Sequence, residues 1–570
     1  MKLVAIRAVQ VLIGLTATVV SSTAFAENGL TPEQKSEYAR VFRARGASPE
    51  ELRTLRALQE TRRAVPLSLK ALQEFMGKSP EMQALEQGQT PQLGDILLWN
   101  GVALDATSLD HTTDTPQMPP STFAEQFGPT RSSRALAITH LAVFEAVNLI
   151  TKKYSSYGGI QATVLNRLNI PVDQISESKA SIRRAIAESA FQTLSALHPN
   201  KRQIFKEVLD QTVVKIGDSA EAKELGRLIG LHAADAVLEL RKFDGATRPD
   251  LKADDLKGNR GLDWGKDPIT LLPIALGGNW SHVKPFVLDK AEKYRPAPPP
   301  EEKDPRFIAA FKGVKQLGGD PDAPVFGARR ATQTDRVGKA NQQPLDGTNE
   351  TFKAIFWAYD GTPSLCAPPR LYNMVATSVA LKEKPITTVE DMARYLALIN
   401  IAMADAGIAA WEAKYYYLHA RPVTAIRAVD ADGTPAGKRD DRWTPLGAPV
   451  SNGEADVRNL TPPFPAYPSG HATFGGAVFQ IMRDYWKLDV KGVPFEFVSD
   501  EYNGLNRGPG ESIARPHVVR AFKSFEEAEI ENAQSRVWLG IHWQYDADAG
   551  IVQGRQVADD VFANILRPVN

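Results

Sequence analysis

SRALAITHLAVFEAVNLI, residues 133–150, decides the fold. A helix on a protein surface keeps one polar face, whereas this stretch is apolar nearly all round. It predicts a helix buried on every side, and a chain that buries a whole helix surrounds it with others. Residues 178–197, 202–216 and 220–242 follow with polar and apolar residues mixed at helical spacing. Further on, helices are expected over about 370–382 and about 388–420. Near the start, Thr31-Pro32-Glu33-Gln34 and Ser48-Pro49-Glu50-Glu51 each put a capping residue before Pro at the first helical position, with Gln or Glu three residues later. Strand signals are few and no internal repeat is visible. The expectation is an all-α chain of two helical bundles with long irregular connections. The Pro-rich run 284–305 and the polar run 328–349 supply the crossing, which divides the chain into 27–345 and 346–570.

Residues 1–26 stand outside this fold. Lys2 and Arg7 precede the apolar run VQVLIGLTATVV, and Ala24-Phe25-Ala26 closes the segment. That order reads as a secretory signal peptide cut after Ala26, hence a secreted or periplasmic protein. Gln10 and several Thr and Ser make it too dilute for a membrane anchor. No other stretch is expected to be long and apolar enough to cross a bilayer.

The whole chain has 570 residues with 67 Lys and Arg against 67 Asp and Glu. Zero net charge argues against a partner bound by bulk electrostatics, nucleic acid above all. A local basic pocket for a small anion remains open. A single cysteine, Cys366, excludes an internal disulfide and any cysteine-based zinc or iron–sulfur site within one chain.

Three segments of the last third carry chemistry. In WEAKYYYLHARPVTAIR (411–427), Trp411, Lys414, Leu418 and Arg421 fall on one helical stripe, and Pro422 disfavours helix at Arg421. Two cations on one stripe suit an anion; taken alone, the plain alternative of a solvated cationic face stands ahead. In PPFPAYPSGHATFGGAVF (462–479), Pro468 suits a first helical position. The N–H groups of Ser469 and Gly470 and the Ser469 hydroxyl then face an anion at a helix N-terminus. His471 in that first turn is placed to exchange a proton; the plain alternative is a turn that starts a helix. In SFEEAEIENAQSRVWLGIHWQYDADAG (524–550), Ser524 and Glu527 form a capping box, so a helix runs from about 525 past Arg536. Gly540 offers a break from which His542 reaches back, with Asp546 four residues further on.

The order is Lys, six residues, Arg-Pro; then Pro-Ser-Gly-His; then Ser-Arg, five residues, His, three residues, Asp. It resembles the superfamily of type-2 phosphatidic acid phosphatases and vanadium-dependent haloperoxidases. Trp411 three residues before Lys414, the run around PSGH, SRVWLGIHWQYD and FWAYDGTP (356–363) resemble the chloroperoxidase-like branch. The resemblance is strong from about 350 to 570 and places the active site in the C-terminal bundle. It implies vanadate as cofactor, held by Lys414, Arg421, Ser469, Gly470, Arg536 and His542, with His542 the direct ligand of the metal. It implies His471 as acid–base, Lys414 as the group that polarises hydrogen peroxide, and Asp360 as support for Arg536; an Asp-Gly turn is the plain alternative for Asp360. Trp411 and Phe464 wall the halide. The position of Phe464 is Phe in fungal-type chloroperoxidases and His in algal bromoperoxidases. The implied reaction is oxidation of bromide, and of chloride, to hypohalous acid, with a small organic acceptor downstream. Two alternatives use the same pocket: a secreted acid-phosphatase-like phosphohydrolase passing through phosphohistidine at His542, and a non-catalytic oxyanion-binding protein.

The remaining histidines have plainer readings. His140 is expected to be a satisfied core residue. His111, His198, His232 and His282 show no companions at ligand spacing, and His419 lies off the Lys414 stripe. His517 is a candidate for the rim of a pocket entrance.

Overall fold

The computed structural model describes residues 30–42, 90–113, 123–256, 261–320, 350–453, 459–509 and 514–569. The signal segment, the Ser48 helix start and the connector at 328–349 lie outside them, as does the division at 345/346.

The N-terminal half contains α1 (Pro32–Val41), α2 (Pro91–Asp110), α3 (Pro129–Thr151), α4 (Ile160–Leu168), α5 (Ile182–Leu197), α6 (Arg202–Val214) and α7 (Ala220–Arg241). After an irregular crossing come α8 (Pro305–Leu317), α9 (Glu350–Phe356), α10 (Pro368–Lys382), α11 (Val389–Tyr417), α12 (Pro422–Ala428), α13 (Gly470–Trp486), α14 (Phe525–Trp538) and α15 (Gln544–Asn564). Two short antiparallel ribbons are the sheets seen among the described residues. They pair β1 (Leu251–Lys252) with β2 (Ile274–Ala275) and β3 (Phe495–Phe497) with β4 (Arg520–Phe522). The helical reading holds along the described residues, and the Thr31 capping box forms as expected, with Thr31 and Gln34 satisfying each other's backbone N–H groups.

The stretch that predicted a buried helix is α3, in which every residue from Pro129 to Ile150 is buried. Its principal partner is α11, itself buried from Met392 to Lys414, and α13 packs between α11 and α15. One apolar cluster therefore runs from Leu30 to Leu566 and includes residues of both halves. Two described helices are long and apolar enough to span a membrane, against the expectation of none. They are α3 and α11, and 94% and 100% of their apolar windows are buried inside the protein. Apolarity on all faces is what a central helix of a large core requires, and composition alone does not separate that from a span.

His140 sits in α3 as a core residue, but it is not satisfied: its Nε2 has no hydrogen-bond partner. Burial alone pushes its imidazole down to about 3, so it is held neutral. His198 does have companions. Its Nδ1 lies 3.8 Å from Asp110 and 3.9 Å from Glu125, brought together because α2 and the turn after α5 meet. Lys201 already bridges those carboxylates, at 2.9 and 2.6 Å, so the cluster is an internal ion pair.

Candidate active site

Each of the three segments delivers its residues through a helix end. The helix α11 stops at Tyr417, where Leu418 takes a left-handed conformation (φ 49°). The stripe thus extends to Lys414 but not to Arg421. Arg421 instead occupies the cap position ahead of Pro422, which opens α12. From there its Nε donates to Phe464 O (2.8 Å), and its Nη1 donates to Ile541 O (2.7 Å) and to His542 Nε2 (2.9 Å).

The second segment starts its helix two residues later than the Pro468 reading. Ser469 is the cap and Gly470 the first residue of α13. The Ser469 N–H is spent on Asp546 O (2.9 Å), so it does not face a ligand. Gly470 keeps a first-turn N–H that no intrahelical carbonyl can reach. A Cβ on Gly470 would stand 3.1 Å from the Trp411 ring, so glycine lets the helix start close to that wall without displacing it. His471, in the same turn, donates from Nε2 to Ala358 O (2.5 Å), leaving Nδ1 as the acceptor of the ring. Burial first, then Arg536, holds His471 well below the usual imidazole range.

The third segment forms as read, save that its capping box is half made: the Glu527 carboxylate accepts from Lys523 N rather than from Ser524 N. Ser524 caps α14 by accepting from Glu527 N (3.0 Å), Arg536 lies in its last turn, and Gly540 (φ 74°) breaks the chain. His542 follows the break and donates from Nδ1 to Asp546 Oδ2 (2.8 Å) in the first turn of α15. Arg421 is a pure donor, so its bond to Nε2 fixes the tautomer: Nδ1 carries the proton and Nε2 carries the lone pair. Burial, then Arg421 and Lys414, holds His542 neutral. Burial pushes Asp546 up to about 7.

Asp360 lies where the resemblance implied. Its two oxygens accept from Arg536 Nη2 at 2.6 and 2.8 Å. The rest of that guanidinium is bare: Arg536 Nε and Nη1, with Arg421 Nη2, are buried with no partner. Each buried donor left unmade costs about 1–3 kcal/mol, and more when charged. Three such buried nitrogens, on two arginines of which one bonds a neutral imidazole and the other lines the same pocket as it, fit a small oxyanion rich in acceptor lone pairs.

Lys414 differs from expectation. Its Nζ donates to Pro465 O (2.8 Å), Ala466 O (2.8 Å) and Pro468 O (2.5 Å), which occupies all three ammonium protons. The cause is the Pro-rich path of 462–468. Prolines bring carbonyls but no N–H, so that segment cannot pair with a regular element and takes its donors from a side chain. Burial, then Arg421, works against the lysine charge, while the three carbonyls hold it in place.

A pocket touches Gly470, His471, Asp360, Arg536 and His542. Trp411 and Phe464 form one wall, their rings 4.9 Å apart. Two features were not legible in the sequence. Tyr372 Oη (2.9 Å) and Asn532 Nδ2 (3.1 Å) both donate to His471 O and so fix the backbone of that histidine. The opposite wall comes from the N-terminal half, as Tyr38, Phe42 and Phe127. Neither group has a motif; only Asn532, one helical turn before Arg536, offered a spacing signal. His517 pairs with Asn503 and is absent from the cavity wall, and His419 Nε2 meets Tyr545 Oη at 2.7 Å.

Residues 394–570 match the family model described as VCPO second helical-bundle domain. The chain is 30% identical over 508 residues to the vanadium chloroperoxidase of Curvularia inaequalis, covering 80% of this chain and 79% of that one. It belongs to the vanadium haloperoxidase family. Solved structures share the fold of this haloperoxidase at low identity. A bacterial vanadium-dependent iodoperoxidase aligns with TM-score 0.58 and 22% identity, covering 82% of this chain and 96% of that one. A holo-type bacterial vanadium-dependent chloroperoxidase aligns at 0.54 and 17%, covering 78% and 94%.

Proposed function

We propose that this haloperoxidase binds vanadate between Arg421, Arg536, the N-terminus of α13 and His542, and uses it to oxidise halide with hydrogen peroxide. The observation that carries the reading is the set of three unpartnered buried guanidinium nitrogens on Arg421, which bonds a neutral His542, and on Arg536, which lines the same pocket as His542. When bound, vanadate supplies a Lewis-acidic centre that activates peroxide for two-electron oxidation of halide.

The protein's own part is positional and electrostatic. His542 carries its lone pair at Nε2, which accepts from Arg421 Nη1 in this structure and which that guanidinium must release for His542 to hold vanadate, with Asp546 holding the other nitrogen as donor. Arg421 and Arg536 neutralise the oxyanion through charge-assisted bonds. Asp360 anchors one edge of Arg536 and leaves the remaining edge for the ligand. His471, with Nε2–H tied to Ala358 O, offers Nδ1 to take and return the proton that peroxide must lose. Lys414 acts here through the segment it grips: it fixes the carbonyl path from Pro465 to Pro468, and with it Phe464 and Ser469.

For the halide we propose bromide and, less readily, chloride. Phe464 lies between two cations, with Lys414 Nζ 5.3 Å and Arg421 Cζ 4.9 Å from its ring centroid. An apolar wall flanked by positive charge offsets the desolvation of a small anion. We also propose export, supported by the charge, apolar run and small residues of positions 1–26.

The test is to prepare the protein without vanadium, add vanadate, and follow bromide and chloride oxidation by peroxide. Activity that appears with stoichiometric vanadium supports the reading, whereas retention of vanadium without halide oxidation would leave a binding protein. In Phe464→His, chloride oxidation is expected to fall relative to bromide; an unchanged ratio removes Phe464 from halide choice.

A further inference from the structure

We propose that Tyr38 is halogenated by the enzyme's own product, making it a site of self-modification inside the active cavity. The inference rests on the reading that hypohalous acid forms at this site.

Tyr38 comes from α1, far from every motif residue in sequence, yet its side chain lines the same cavity as His471, Arg536 and His542. It is fully buried, and its hydroxyl has no hydrogen-bond partner. Its ring lies 4.6 Å from Phe127 and 6.0 Å from Phe42, so it belongs to an aromatic wall in which it is the one phenol among the described residues. A phenol is strongly activated toward electrophiles at the positions beside its hydroxyl; the phenyl rings of Phe42, Phe127, Phe464 and Phe474 are not.

The indole of Trp411 is another activated ring on the wall, and its surroundings shield it. The Lys414 ammonium stands 5.6 Å from its centroid, and a cation near the ring draws electron density away from an incoming electrophile. Its Nε1–H donates to Leu276 O (3.0 Å), and Phe464 and the Gly470 backbone crowd it. Tyr38 has no such cation within ring distance among the described residues; Asp250 is the charged group whose field reaches its hydroxyl most strongly.

The step balances with what the activity supplies. Hypohalous acid delivers its halogen, as the electrophile, to a ring carbon ortho to the Tyr38 hydroxyl. A carbon–halogen bond forms and the oxygen–halogen bond breaks. The displaced ring proton joins the departing hydroxide as water. Peroxide and halide are consumed by the preceding oxidation, and no further oxidant is needed. The consequence is a cavity wall that records turnover whenever no better acceptor is present.

The test uses vanadate-loaded protein with bromide and peroxide and no organic acceptor. Samples are taken over successive turnovers, digested and analysed by mass spectrometry for the bromine isotope doublet. Tyr416 is the internal comparison, since it is exposed (61%) and lies outside the cavity. The expected result is bromine in the Tyr38 peptide before the Tyr416 peptide. Reagent hypobromous acid added to the inactive His471→Ala protein is expected to give the opposite order. Tyr38→Phe is expected to remove bromine from that peptide. Bromide oxidation with Tyr38 unlabelled, or labelled no earlier than Tyr416, overturns this inference and leaves the proposed function standing. Absence of bromide oxidation overturns both.

Discussion

At the scale of single residues, the site separates into groups that hold an oxyanion and one that moves a proton, and the separation is testable. His542 has its lone pair at Nε2, where Arg421 Nη1 donates, and has Asp546 behind it. In His542→Ala, halide oxidation should vanish and vanadium should be lost on gel filtration, while circular dichroism stays that of the parent. His471 touches none of the three bare guanidinium nitrogens and is fixed through Ala358, Tyr372 and Asn532. His471→Ala should therefore lose turnover yet retain vanadium, and equal loss of vanadium in both variants would merge their roles. Asp360→Asn leaves Arg536 with a neutral partner at the bond now made at 2.6 and 2.8 Å. Vanadate affinity, read from recovery of activity on titrating apo protein, should fall about tenfold, equivalent to about 1.4 kcal/mol.

At the scale of elements, the decisive feature is the turn between α14 and α15. Arg536 and His542 lie six residues apart and would diverge on an unbroken helix; Gly540 brings them to one cavity. Its φ is +74°, and an added Cβ would stand 2.3 Å from Gly318 O. Gly540→Ala should cost about 1–3 kcal/mol for the backbone alone. It should lower the melting temperature and weaken vanadate retention together, whereas a lower melting temperature with vanadate binding intact would show that the turn is not what aims His542. This turn was readable beforehand because glycine breaks a helix in a known way. The path of 462–468 was not: a Pro-rich run has no periodicity, and nothing local says that Lys414 will satisfy its carbonyls. The aromatic wall from α1 was hidden for a related reason, since Tyr38 and Phe42 carry only the pattern of a short capped helix. Their place depends on how distant parts of the chain meet.

At the scale of the whole molecule, α3 carries the core, and His140 lies within it without a partner. Its folded value of about 3 is below the value near 6.5 of an open chain. Unfolding therefore takes up a proton between those limits, so the stability it leaves intact above about pH 6.5 is lost as pH falls toward 3. The slope is about 1.4 kcal/mol per pH unit for one such group. Melting temperature against pH should be flatter in His140→Gln than in the parent across this window; parallel curves would exclude His140 as a source of acid lability. The same central packing joins both halves in one apolar cluster, and every donor of the site is aimed by the protein itself. Phe464 and Ile541 carbonyls aim Arg421, Asp360 aims Arg536, and Asp546 aims His542. Cofactor uptake is then docking onto a folded receptor, in which Arg421 Nη1 gives up the His542 Nε2 lone pair, rather than a folding step. The active fraction should track the surrounding vanadate concentration as simple saturation, so that folded but silent enzyme forms a reserve that supply can awaken without new synthesis.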